Sequence, residues 1–185
     1  MVTIVAPKFT YKDLQEMPDD GKRYQLIDGE LYVTPSPNRA HQRAVGNLHV
    51  LLRERIEKAG LGEVYLAPFD VVFDQMNVVQ PDLLVVGNER LAIITDANVG
   101  GVPDIAIEVL SPSNKRFDRE MKLQLYGRVG VPELWYFDPA DRTAEMFHAD
   151  AEGRCVLTAK LSGSEEIRSA VFPGLSLTLD EVLAG

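Results

Sequence analysis

The 185 residues include one cysteine, one tryptophan and three histidines. A lone Cys155 excludes an intrachain disulfide, favours a reducing compartment, and reads as a small half-buried apolar residue. The shortage of Cys and His leaves no ligand spacing of the kind that holds zinc. No apolar run approaches the ~20 residues of a membrane-crossing helix, and no charged leader precedes an apolar core, so a soluble cytoplasmic protein is expected. Missing too are a glycine-rich phosphate loop and a Ser-His-Asp order, so P-loop and triad chemistry find no support. Without repeats, linkers or low-complexity stretches, residues 1–185 read as one domain. That length, with 45% hydrophobic and 25% charged residues, is enough for a sizeable core.

Cations are also in short supply. Lys and Arg total 19 against 28 Asp and Glu, a net charge of −9, which argues against nucleic-acid binding by the whole surface. Two segments go the other way. Residues 39–60 carry Arg39, Arg43, Arg53, Arg55 and Lys58 against two glutamates. Residues 114–128 carry Lys115, Arg116, Arg119, Lys122 and Arg128 against Asp118 and Glu120. Both read as helices, and a phosphate-facing surface is expected there, with Arg39, Arg43, Lys115, Arg116 and Arg119 as its contacts.

The pattern along the chain predicts an α+β protein with a mixed sheet. Thr10 precedes a short helix from Tyr11 to about Met17, with Asp13 placed for a capping box. Asp28-Gly29 is a two-residue hairpin signal between strands. Val45, Leu48, Leu52 and Ile56 mark the buried stripe of a helix from Arg39 to about Lys58. Strands at 64–66, 70–73 and 78–86 follow with short turns, so an antiparallel meander is expected. Residues 87–103 read as a loop-rich insert before the strand 104–110. Ser111-Pro112-Ser113-Asn114 stops that strand and caps a helix ending at Gly130. A buried strand at 133–137, a hairpin of 143–148 with 155–161, an extended segment at 171–177 and a short helix near Asp180 complete the chain.

Two acidic residues stand out against this background. Ile105, Ile107 and Val109 alternate to one strand face, which turns Glu108 to the other with Ala106 and Leu110. A carboxylate on so apolar a strand needs a partner, because an unpaired buried charge costs several kcal/mol. Asp82, preceded by Pro81 in another β-rich run, is the natural neighbour. Two carboxylates on adjacent strands repel unless a cation or proton lies between them. Oxygen ligands of this kind suit Mg²⁺ or Mn²⁺. A Pro-Asp followed by an acidic residue on the next strand resembles the PD-(D/E)XK nuclease signature, although Leu110 stands where that signature has lysine.

The ordered strings Leu26-Ile27-Asp28-Gly29-Glu30, Val79-Gln80-Pro81-Asp82, Ile107-Glu108-Val109-Leu110-Ser111-Pro112-Ser113, Gly130-Val131-Pro132-Glu133-Leu134-Trp135 and Pro173-Gly174-Leu175 resemble the Uma-two family of bacterial putative restriction endonucleases. The likeness spans about Thr10 to Val182. It implies the restriction-endonuclease-like fold: a mixed central sheet flanked by helices, with extra β elements at both ends. It implies metal-dependent hydrolysis of DNA, with Asp82 and Glu108 as ligands and Lys122, from the helix after the Glu108 strand, as the catalytic cation. Glu30 is a possible further acid, placed above Glu54, and His41 a possible further site residue. The alternative is a non-catalytic nuclease-fold protein that binds DNA or self-associates. A homodimer is expected, using Met146, Phe147 and Val156 as apolar edge surface. Lys122→Ala is expected to abolish cleavage and leave the fold intact, because an ammonium is not a metal ligand.

Overall fold

The computed structural model describes residues 7–34, 36–111 and 118–184. The helix start expected at 112–114, together with Lys115 and Arg116, lies outside the described residues. Strands β1 (Arg23–Ile27), β2 (Glu30–Thr34), β4 (Asp70–Asp74), β5 (Asn77–Val79) and β7 (Asn98–Val99) form one sheet, in the order β2-β1-β5-β4-β7. Strands β3 (Gly62–Leu66), β6 (Leu83–Gly87), β8 (Ile105–Val109), β9 (Glu133–Asp138), β10 (Thr143–Ala149) and β11 (Cys155–Ser162) form a second, in the order β11-β10-β9-β8-β6-β3. This larger sheet is mixed, since β8 and β9 run parallel while their neighbours run antiparallel. Strands β12 (Glu166–Arg168) and β13 (Ser176–Thr178) make a small C-terminal pair.

The helices follow their local signals. Thr10 and Asp13 close the predicted capping box on α1 (Tyr11–Gln15). Asn38 caps α2 (Arg39–Leu52), which continues through a π-helical turn at Arg53–Glu57. A second π-helical turn, Asp118–Lys122, leads into α3 (Leu123–Val129), which ends on Gly130 in the left-handed conformation. The short α4 (Leu179–Val182) closes the described chain. Asp28 and Gly29 adopt φ of 52° and 73°, the positive values a tight hairpin between β1 and β2 demands.

The six-stranded sheet has a core on each face. On one side Leu83, Val85, Ile105, Ile107, Val109, Trp135 and Phe137 meet Leu48, Leu52 and Ile56 of α2. Each of those helix side chains contributes about 1.5–3 kcal/mol by leaving water. On the other side Leu84, Val86, Ala106, Leu110, Leu134 and Tyr136 meet the five-stranded sheet and Leu125 and Tyr126 of α3. Glu108 shares this second side by strand alternation, as its sequence predicted.

Three expectations change here. The meander does not form: β3 pairs with β6, whereas β4 and β5 form a hairpin in the other sheet. The run 78–86 is likewise two strands. β5 belongs to one sheet and β6 to the other, with Pro81-Asp82 at the crossing. Pro81 has no N–H to give a ladder, which explains why pairing stops there. The dimer surface also shrinks, since Met146 and Phe147 are buried while Val156 and Leu157 remain exposed on the β11 edge. Among the described residues no helix is long and apolar enough to cross a membrane.

Candidate active site

Register brings the two predicted carboxylates together. In the antiparallel β6–β8 pair, Leu83 faces Ile107 and Leu84 faces Ala106, so Asp82 falls opposite Glu108 one step beyond. The Val109 N–H donates to Asp82 Oδ2 at 2.9 Å, tying the joint between the sheets to the end of β8. Both acids are almost completely buried, at 5% and 2% exposure. Neither could stay charged there without compensation.

Each carboxylate has its own donors. Lys122 Nζ lies 2.7 Å from Glu108 Oε1, and the Tyr126 hydroxyl donates to the same oxygen at 2.6 Å. Lys122 is itself only 2% exposed. The turn before α3 therefore does what Leu110 cannot and delivers an ammonium to the acidic pair, while Leu110 packs in the core. On the far side, His41 Nε2 donates to Asp82 Oδ2 at 2.9 Å, and Arg23 Nη1 reaches Asp82 Oδ1 at 3.3 Å. Asn38 holds His41 in place by accepting its backbone N–H at 2.9 Å, in the first turn of α2. His41 Nδ1 is buried with no hydrogen-bond partner among the described residues.

Burial alone would push the Asp82 carboxyl up. The His41 hydrogen bond and electrostatic attraction, the Lys122 ammonium and the Val109 N–H outweigh it and hold the carboxyl below its ordinary value. Asp82 is thus a carboxylate at neutral pH. With its pKa lowered by folding, its contribution to stability is present above the ordinary carboxylate range and is lost as pH falls through the lowered value. Cys155 goes the other way: burial pushes its thiol up to about 11, so it offers no thiolate at neutral pH and stays a packing residue.

Beside Asp82 a groove of about 620 Å³ opens between the ends of β1 and β2, the start of α2 and the 67–68 loop. Lys22, Arg23 and His41 line it, and Asp82 is the one acid among its lining residues. In an acidic protein that is a local inversion of charge. Buried Gln25 accepts the Gln80 N–H on its Oε1 at 2.9 Å, just ahead of the Pro81-Asp82 joint.

The other predicted residues are not drawn in. Glu30 is exposed, held by Lys8 and the Tyr32 hydroxyl, and faces Ile27, about 13 Å along β1 from Arg23. Glu54 pairs with Lys58 on the helix surface. Arg39 is exposed. Arg43 lines a separate hollow with Pro139 and Arg142, away from the groove. Arg119 pairs with Glu145. Sequence reasoning missed Arg23 and Tyr126, although Tyr126's spacing of four from Lys122 puts both on one helix face.

Asp82, just before β6, and Glu108, on β8, supply carboxylate oxygens, the ligand type of a hard divalent cation; among the described residues no group of three or more His, Cys, Asp or Glu could hold a metal ion. Two protein carboxylates with the remaining positions left to water is the pattern Mg²⁺ favours.

Comparison with known proteins extends these observations. Residues 11–180 match the family model described as Uma2, putative restriction endonuclease. The crystal structure of a putative nuclease belonging to DUF820 from Anabaena variabilis ATCC 29413 superposes with a TM-score of 0.78 at 15% identity. The match covers 95% of this chain and 98% of that one. No curated protein matched.

Proposed function

The chain belongs to the Uma2 family of putative restriction endonucleases, and from that premise we propose that it hydrolyses DNA phosphodiester bonds with a divalent cation held by Asp82 and Glu108. The observation that carries the reading is the buried pair itself, Asp82 just before β6 and Glu108 on β8, with Lys122 2.7 Å from Glu108. When bound, Mg²⁺ or Mn²⁺ would polarise the scissile phosphate and lower the pKa of a water. Lys122 orients that water or offsets charge gathering on the phosphate. Tyr126 steadies Glu108 through its hydroxyl, and His41 fixes the Asp82 carboxylate. Arg23, at the groove wall, is placed to turn from Asp82 to a phosphate oxygen. We assign self-association to the β11 edge, through Val156 and Leu157.

Titration calorimetry with Mg²⁺ and Mn²⁺ tests the metal site. A single site that disappears in Asp82→Asn, together with Mn²⁺-stimulated cleavage of DNA lost in the same variant, is the expected result. Absence of any divalent binding to the intact protein would instead leave the second reading, a non-catalytic nuclease fold. That reading draws on the same contacts, because Lys122, His41 and Arg23 already neutralise the two acids as a structural network.

DNA is expected to reach the site through the groove. Removing Lys22 and Arg23 together should flatten the dependence of log K on log salt by about 2, at ~0.9 per phosphate contact. A slope that changes only in Arg39→Ala with Arg43→Ala would move the DNA to the outer face of α2.

A further inference from the structure

Other buried acids lie outside this machinery, Glu145 among them. Glu145 on β10 is 7% exposed, and its two oxygens accept from Arg119 and from Lys160, the latter at 3.1 Å. Burial alone would raise its pKa; the two cations reverse that and hold it below the ordinary value. Its place follows from register. Glu108 faces Tyr136, Tyr136 faces Glu145, and Glu145 faces Lys160. Facing residues share a sheet side, so a single polar row runs from Asp82 across β8, β9 and β10 to the β11 edge. Glu145 stands two strands from Glu108, about 10 Å at ~4.8 Å per strand.

One helical turn spans those two strands. Arg119 and Lys122 are three residues apart in the π-helical turn Asp118–Lys122, with Arg119 on Glu145 and Lys122 on Glu108. A π-helical turn is wider than an α-helical one and recurs where a side chain must be re-aimed. We propose that Glu145 is a positioning residue: through Arg119 it fixes the turn that carries Lys122, and so sets where the ammonium meets Glu108. Lys160, exposed on the edge strand, closes the other oxygen of Glu145 and keeps its carboxylate turned to the sheet. The catalytic consequence rests on the nuclease reading above; the tether itself does not. Arg119 thereby changes role from the phosphate contact its sequence suggested to an anchor.

Acylation of lysines in the full chain, read by mass spectrometry, tests the tether without any cleavage assay. Lys122, buried on Glu108, should label slowly in the native protein. Arg119→Met and Glu145→Gln should each raise its labelling rate at least fivefold, while Arg119→Lys, which keeps the cation, should stay within twofold of native. Fluorescence of Trp135, fully buried and the only tryptophan, reports whether the core stays folded. Unchanged Lys122 labelling in both disrupting variants, or a rise that appears only when Trp135 becomes exposed, overturns the tether. A cleavage arm tests its consequence. Arg119→Met should lower kcat about tenfold with KM for DNA unchanged, and Arg119→Lys should restore it. A raised KM with constant kcat and a shallower salt slope would make Arg119 a DNA contact and refute the positioning role. If even the native protein cuts no DNA, the proposed function fails while the labelling result still decides the tether.

Discussion

Lys122→Met should lower the stability of the protein by about 3 to 5 kcal/mol and reduce DNA cleavage by about a thousandfold. The first effect departs from what the sequence led one to expect, an intact fold, and the reason is burial. Lys122 and Glu108 are each 2% exposed and 2.7 Å apart, so taking away the ammonium strands a carboxylate where water cannot reach it. Methionine keeps most of the stem's volume, which separates loss of charge from loss of packing. A second substitution separates stability from chemistry. Lys122→Met combined with Glu108→Gln removes both charges and should recover most of the lost stability, with Tyr126 still able to donate to the amide oxygen, yet remain inactive. Urea denaturation of the two single variants and the double closes that cycle. Additive losses would mean that the two side chains do not depend on each other in the folded protein.

Gly127→Ala is the second substitution with a large expected effect. In an exposed helix this change stabilises by about 1 kcal/mol. Here a Cβ would stand 2.7 Å from the Cys155 backbone nitrogen and 2.8 Å from the Gly153 carbonyl oxygen, both main-chain atoms that cannot swing aside. The β10–β11 turn and α3 would have to part, at a cost of about 1 to 3 kcal/mol or more for the overpacking. Because α3 continues from the turn bearing Lys122, its displacement should also lower cleavage, by tenfold or more. Thermal unfolding alongside kcat would check both. A variant as stable and active as the native protein would show that the helix is free to slide.

The acidic pair was legible because strand alternation is a local property: three apolar residues at every second position force Glu108 to the opposite face. Lys122 followed from the likeness to a family, which implies a catalytic lysine on the helix after that strand. What local pattern could not yield is pairing across sequence distance. Arg23 meets Asp82 from 59 residues away and His41 from 41, and nothing in the first strand or the first long helix signals an acid to come. The division of residues 78–86 between two sheets did leave a mark. Pro81 sits inside a β-rich run, and a proline there argues against one unbroken central strand. The positive charge of the helices was legible only as a count, which does not tell a solvated arginine from one, like Arg119, held by a carboxylate.

The order in which the chain is synthesised gives the Glu108–Lys122 contact a further meaning. Glu108 leaves the ribosome fourteen residues ahead of the only lysine that meets it in the folded protein's described contacts. Until that lysine and the helix behind it are available, β8 carries near its end a charge that the interior will not accept. The strand therefore cannot be sealed beneath α3 early, however apolar its other residues are. β8 is thus expected to enter the interior together with α3, and a chain halted before Lys122 to be held open at Glu108.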